Sequence, residues 1–262
     1  MAAQSTPLLW HIEVSHYNEK ARWALDYKGI EHVRKAPQPG LHPVRAKTKG
    51  GSTLPILELD GKTLTDSTEI VAALERHRPN PPLYPADPDA RSQALVLEDF
   101  FDEEMGPDVR RLLFFHVLKG GPDSVRAFIP PPPGLQGTVM DKMLPVIFPI
   151  MKPMLGGMYG ISEDKVSVAP AKILAGFDRM EEVRAGRDYL VGDSFTIADL
   201  TAAALSHPIV RPAEFEYTYG PIPETLAPIR DELIAHPAAT WVRGIYAKHR
   251  GTSAELISAA AA

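Results

Sequence analysis

The stretch Leu54-Pro55-Ile56-Leu57-Glu58-Leu59-Asp60-Gly61-Lys62-Thr63-Leu64-Thr65-Asp66-Ser67-Thr68-Glu69-Ile70 carries three structural signals in one short segment. Asp60-Gly61 supplies the positive φ angles of a tight turn, so Ile56 to Leu59 and Lys62 to Thr65 read as the arms of a β-hairpin. Asp66-Ser67-Thr68-Glu69 then has the form of a capping box, and Ile70, Val71 and Leu74 continue as one apolar helix face.

Upstream, Leu8 to Val14 alternates, Ser15 to Lys20 is polar, and Ala21, Ala24 and Leu25 fall at helical spacing before Gly29. That order reads as a strand running into a helix. Glu31 to Lys35 makes a second short strand, and Pro37 to Gly51 reads as a loop with at most one helical turn. Residues 1–78 therefore read β-α-β-loop-β-β-α. Downstream, Pro79-Asn80-Pro81-Pro82-Leu83-Tyr84-Pro85, with Pro88 beyond, cannot continue a helix, so residues 79–89 read as an extended linker.

Residues 90–262 are helical in periodicity. Ala90 to Lys119 is expected as one long amphipathic helix, Thr138 to Tyr159 as a proline-interrupted one, and Pro170 to Arg184 as a third with Ile173, Phe177 and Met180 inward. Two or three more follow. Pro130 to Pro133 is a rigid break. The span 120–169 is longer than an ordinary helix–helix connection of about 2 to 8 residues and reads as an insertion. The fold class is an α/β N-terminal domain followed by an all-α domain.

Composition narrows the function. The chain has 262 residues, 44% hydrophobic and 23% charged, an ordinary globular balance. Its 26 prolines are roughly twice the usual share of about 5%. A net charge of −5 gives no basic footprint for nucleic acid. The absence of cysteine excludes disulfides, thiolate metal sites and any thiol of the protein's own, so thiol chemistry needs a borrowed thiol. The histidines lack metal-ligand spacing, and no metal is expected. Met1 to Trp10 has no basic, apolar leader, and Met140 to Tyr159 is broken by Lys142, Lys152 and prolines, so the expectation is a cytoplasmic protein without a membrane partner.

The ordered set Ser15-His16-Tyr17-Asn18-Glu19-Lys20-Ala21-Arg22-Trp23-Ala24-Leu25, Leu54-Pro55-Ile56-Leu57, Thr65 to Ile70 and Gly192 to Leu200 resembles the cytosolic glutathione transferase superfamily, of serine type. The resemblance covers nearly the whole chain. It implies a thioredoxin-like N-terminal domain and a helical substrate domain, with glutathione or a related thiol as co-substrate. The implied activity is attack of that thiol on a hydrophobic electrophile by a homodimer. Isomerase, dehalogenase and ether-cleaving variants of the chemistry stand beside it. A non-catalytic binding or scaffold protein of the same fold is the alternative.

The resemblance also implies residue roles. Ser15 is the catalytic hydroxyl, which steadies a thiolate at a helix N-terminus, although a serine there also reads as a simple N-cap. Tyr17 and Asn18 are the fallback donors, and His16 stands where serine-type members often have proline. Leu54 before a cis-Pro55 binds the peptide of the ligand through its main chain. Asp66 answers the γ-glutamyl ammonium, Ser67 its carboxylate, and Lys47, with Lys49 nearby, the glycyl carboxylate. Tyr17, Phe114, Phe115 and Met140 are expected in the second-substrate pocket. The methionines of 140–154 are adaptable apolar contacts. Thr196 to Asp199 is a capping box without chemistry.

Overall fold

A computed structural model describes residues 5–37, 42–131 and 134–256. Four short strands, β1 (Leu8–Trp10), β2 (Val33–Lys35), β3 (Ile56–Leu59) and β4 (Lys62–Leu64), form one sheet in the order β2-β1-β3-β4. β1 and β2 run parallel, and the other pairs are antiparallel, with Leu9 opposite both Arg34 and Leu57. Asp60 (φ 50°) and Gly61 (φ 74°) make the expected hairpin turn. β1 stops well before Val14, because the Ile12 N–H is drawn off to Asn18 Oδ1 at 3.0 Å and the chain turns into the first helix.

Helices α1 (His16–Tyr27) and α3 (Ser67–His77) belong to the sheet domain, together with α2 (His42–Thr48). Two helical turns therefore occupy part of the segment expected as loop; Pro43, in the first turn, costs the helix no hydrogen bond. Gln38 to Leu41 lie outside the described residues, as do Pro132 and Pro133 of the proline break.

The linker is held from both sides. Buried Lys28 donates to the carbonyls of Arg78 and Pro81 at 2.9 and 3.0 Å and pairs with Glu75, whose carboxylate also takes the Leu83 N–H. The Leu83 carbonyl in turn accepts from Ile197 N at 2.8 Å. The Asn80–Pro81 peptide is cis, a feature with no local signal in the sequence.

The helical domain comprises α4 (Pro88–Phe100), α5 (Gly106–Lys119), α6 (Gly121–Phe128), α7 (Leu135–Met158), α8 (Glu163–Arg184), α9 (Ile197–Val210), α10 (Ala227–Ala235) and α11 (Pro237–His249). The long helix expected over 90–119 is broken by a π-helical turn, Phe101–Met105. At its end Gly106 N bonds Phe101 O, and Pro107 has no N–H to give the Asp102 carbonyl five residues before it. That carbonyl accepts the Tyr17 hydroxyl instead, at 2.8 Å. A Cβ on Gly106 would lie 2.8 Å from the same hydroxyl, so glycine permits the contact.

α7 runs unbroken through Pro145, Pro149 and Pro153. All three face solvent, and the Asp141 carbonyl that Pro145 leaves without its helical donor is approached by Arg126 Nη2 at 3.4 Å. Every apolar side chain of α7 is exposed or half-buried, with Leu135 82%, Val146 66% and Ile150 74% accessible. No single helix among the described residues is long and apolar enough to cross a membrane. α8 begins before the expected Pro170 and buries Ile173, Phe177 and Met180 as the spacing predicts.

One apolar cluster runs through both domains, from Leu9, Trp23 and Leu57 to Phe101, Phe177 and Leu205. α1 lies between the sheet and α9, and its buried charges are matched in place. Lys20 Nζ sits 2.9 Å from Glu98 Oε1 and 2.8 Å from Asp102 Oδ1, and donates to Thr68 Oγ1. Glu19 and Asp26 are bound by Arg22, Arg34 and Arg250. The Thr196/Asp199 capping box is present, with buried Asp199 also accepting from Leu190 N. Burial raises the Asp199 carboxyl to about 6.

Candidate active site

A cavity of about 290 Å³ opens where the β1–α1 turn, the segment before β3 and the start of α3 face α5 and the end of α7. Ser15, Leu54, Pro55, Asp66 and Ser67 line one side of it, and Arg110, Leu113, Phe114, Phe128, Met158 and Tyr159 line the other.

Ser15 precedes α1 in extended conformation but makes no side-chain cap bond. Its Oγ accepts from Asn18 Nδ2 at 2.7 Å. The same amide nitrogen donates to the Leu54 carbonyl at 3.1 Å, while Asn18 Oδ1 holds Ile12 N. Fully buried Asn18 thus ties the turn, the hydroxyl and the cis-proline segment together. Because Ser15 Oγ is already an acceptor there, the hydroxyl proton remains for another acceptor. Ser15 stands at the N-cap position, its carbonyl accepting from Glu19 N at 2.9 Å, but its hydroxyl caps no helix N–H; Asn18 is corrected as a fallback donor, because its donor capacity is consumed within the protein.

Tyr17 also departs from its fallback role. Its hydroxyl proton goes to Asp102 O, and burial, with Asp102 beside it, pushes its ionisation far above the ordinary tyrosine range. It lines the cavity as a wall. Buried His16 bonds the Gly106 carbonyl through Nε2 at 3.0 Å, so that nitrogen carries the proton. Desolvation, reinforced by Arg110, lowers its pKa to about 3. The residue replacing proline is a neutral tie between the domains.

The Leu54–Pro55 peptide is cis. Asp66 is the N-cap of α3, its Oδ1 accepting from Thr68 N and Glu69 N at 2.9 and 3.1 Å, which leaves Oδ2 uncommitted on an exposed residue that lines the cavity. Ser67 is 3% exposed in the first turn of the same helix.

Three expected site residues fall elsewhere. Lys47 is exposed on α2 and does not line the cavity; Lys49 pairs with Glu58 at 2.8 Å, a carboxylate that also accepts Trp10 Nε1. Phe115 points from α5 into the core, edge-on to His116, because only Phe114 of the adjacent pair can face the cavity. Met140 is near the start of α7, whereas the helix reaches the cavity only at Met158 and Tyr159.

Sequence reading missed His42 and Arg110. His42, at the start of α2, lines the cavity with its Nε2 enclosed and without a partner among the described residues. Burial lowers its pKa, so it stands as a neutral donor or acceptor. Arg110 shares a helix turn with Phe114, at the i,i+4 spacing that puts both on one face. That spacing was the available signal.

The family matches agree with this architecture. The sequence matches the glutathione S-transferase N-terminal domain family over residues 9–82 and the glutathione S-transferase C-terminal domain family over residues 139–216. The chain belongs to the cytosolic glutathione transferase superfamily, an enzyme family. Among solved structures it is similar to the β-etherase LigF from Sphingobium sp., at 23% identity over 91% of this chain and 98% of that one, TM-score 0.60. It is also similar to a glutathione S-transferase from Methylobacterium radiotolerans in complex with glutathione sulfonate, at 21% identity over 97% and 98%, TM-score 0.56. A third similar structure is a glutathione S-transferase from Rhodospirillum rubrum, at 20% identity over 95% and 90%, TM-score 0.58. No curated protein matches the sequence.

Proposed function

We propose that this protein binds glutathione in the inter-domain cavity and adds its sulfur to a hydrophobic electrophile. The observation that carries the reading is Ser15 Oγ, fixed by Asn18 as an acceptor and lining the same cavity as Leu54, Asp66 and Ser67. The residues present suit the tripeptide. The unused Asp66 oxygen answers an ammonium, Ser67 and the α3 N-terminus answer a carboxylate, and the enclosed His42 Nε2 can donate to a second carboxylate.

Glutathione supplies the nucleophilic sulfur. Ser15 donates its hydroxyl proton to that sulfur as a hydrogen bond, favouring the thiolate. Tyr17, Phe114, Phe128 and Tyr159 hold the electrophile and exclude water. An S–C bond forms as the bond to the leaving group breaks, and the leaving group departs with the electron pair. The thiol proton goes to solvent. Displacement of a halide or of an aryl oxide uses the same residues, so ether cleavage is a variant of one step. The same reading makes the protein a cytoplasmic homodimer.

Calorimetry with glutathione, followed by conjugation assays on a panel of electrophiles, tests it. Glutathione is expected to bind, and Ser15→Ala to lower kcat by about ten- to a hundredfold, the worth of a hydrogen bond to a charged partner. Binding without turnover on any electrophile would favour a non-catalytic binding protein.

A further inference from the structure

The arginines of the domain interface are matched to carboxylates: Arg22 to Glu19, Arg34 to Asp26, Arg250 to both, and Arg111 on α5 to Asp108. Arg110, one residue from Arg111, is different. Among the described residues no carboxylate lies within 4.0 Å of it and no protein acceptor takes any of its N–H groups. Its Nε is enclosed and unpartnered. The guanidinium is held by aromatic faces alone, with Cζ 4.8 Å from the Tyr159 ring centroid and 5.4 Å from that of Tyr17. Tyr159 is itself stacked on Phe114 at 5.2 Å.

This arrangement orients a fixed, always charged fork without consuming its donors. Arg110 stands on the α5 side of the cavity, among Leu113, Phe114 and Tyr159, across from the Asp66–Ser67 end. A half-enclosed cation without a counter-ion in an apolar wall is costly unless its ligand brings the charge. Glu103 also lines the cavity, but it is exposed at the rim and does not pair with Arg110; Asp102 is already engaged by Lys20.

We propose that Arg110 is a specificity residue for an anionic group on the second substrate, so that the electrophile is an apolar or aromatic acid, a carboxylate above all, rather than a neutral hydrocarbon-like molecule. The proposal rests on the glutathione-dependent reading above and deepens it. A planar carboxylate accepts two parallel N–H bonds from the guanidinium while its apolar body lies against the wall formed by Leu113 and the stacked Phe114–Tyr159 pair.

The test uses equilibrium binding, not turnover. Affinities of S-benzylglutathione and S-(4-carboxybenzyl)glutathione are measured by calorimetry on the full chain. The wild type is expected to prefer the carboxylate by about ten- to a hundredfold. Arg110→Gln should bring the ratio close to one, Arg110→Lys should keep part of it, and Glu103→Gln should raise it. Equal affinities in the wild type, or a preference that survives in Arg110→Gln, would overturn the inference while leaving the glutathione reading intact. If the wild type binds neither conjugate nor glutathione itself, the proposed function falls and this inference falls with it.

Discussion

α1 and α7 invert the ordinary relation between hydropathy and burial. α1, His-Tyr-Asn-Glu-Lys-Ala-Arg-Trp-Ala-Leu-Asp-Tyr, is among the more polar helices of the chain, yet every residue except Tyr17 and Tyr27 is buried. α7 is the most apolar long helix, and none of its apolar side chains is buried. The difference lies in what each helix meets. α1 is enclosed by the sheet, α3 and α9, and each charge it takes inside is matched: Arg22 pairs with Glu19 of the same helix, Lys20 with Glu98 and Asp102, and Glu19 and Asp26 with Arg250 from a distant segment. α7 packs chiefly on α6 and leaves Leu135, Val139, Val146 and Ile150 to solvent. Position in the fold, together with matched polar groups, decides burial here.

The comparison breaks most visibly at Lys20. Lys20→Met leaves Glu98 and Asp102 facing each other inside the interface, and a stability loss of about 3 to 5 kcal/mol is expected in chemical denaturation. A loss below 1 kcal/mol would mean that the buried charges of α1 are not matched by their partners. Glu98→Gln in the same chain should recover part of the loss, because burial already raises the Glu98 carboxyl and favours its neutral form.

Acid sharpens the contrast next. His16 is held near a pKa of about 3 against an ordinary 6.5. Between those values the unfolded chain carries a proton that the folded chain refuses, so stability is full above pH 6.5 and falls as the pH drops. His16→Gln, which keeps a donor to the Gly106 carbonyl, should flatten the slope of stability against pH by about 1.4 kcal/mol per unit in that window. His11 and His207, also lowered by burial, keep their own contributions in both proteins. An unchanged slope would show that His16 is accessible to protons in the fold.

α3 lies between the extremes, with one exposed cap and one buried serine. Asp66→Ala should cost about 1 kcal/mol of stability through the lost cap, together with glutathione affinity. Ser67→Ala should weaken glutathione binding and move the denaturation midpoint less. If Ser67→Ala shifted only the midpoint, the segment would be a helix start and nothing more. The smallest effect belongs to α7: Ile150→Ser, 74% exposed at the start, should change stability by less than about 0.5 kcal/mol.

Much of this architecture is legible in the sequence because its signals are local. Asp60-Gly61 turns the hairpin, Asp66 caps α3, Thr196 and Asp199 form their box, and the spacing of Ile173, Phe177 and Met180 gives the buried face of α8. The misses are of another kind. Whether Phe114 or Phe115 faces the cavity depends on the rotation of α5, which the π turn at Phe101–Met105 resets. Lys47 and Met140 have the right chemistry and the wrong direction. His42 and Arg110 carry no motif; each acquires its meaning from walls supplied by other segments. Asn18 reads from sequence as a fallback donor to the thiol, and only the folded chain brings Ile12, Ser15 and Leu54 within its reach.

The segment after α11 returns to the sheet domain. His32, just ahead of β2, bridges Glu255, the His32 carbonyl accepts Leu256 N, and Asp26 receives Ala254 N at 2.8 Å as well as the Arg250 guanidinium. During synthesis, then, Glu19 and Asp26 can meet Arg22 and Arg34 early, but their second guanidinium, Arg250, is encoded more than two hundred codons later. Final ordering of the first domain is expected to coincide with arrival of the segment after α11, which completes these pairs. Removal of the segment after α11 is therefore expected to loosen α1 and β2, at the beginning of the sequence, through the lost contacts to Asp26 and His32.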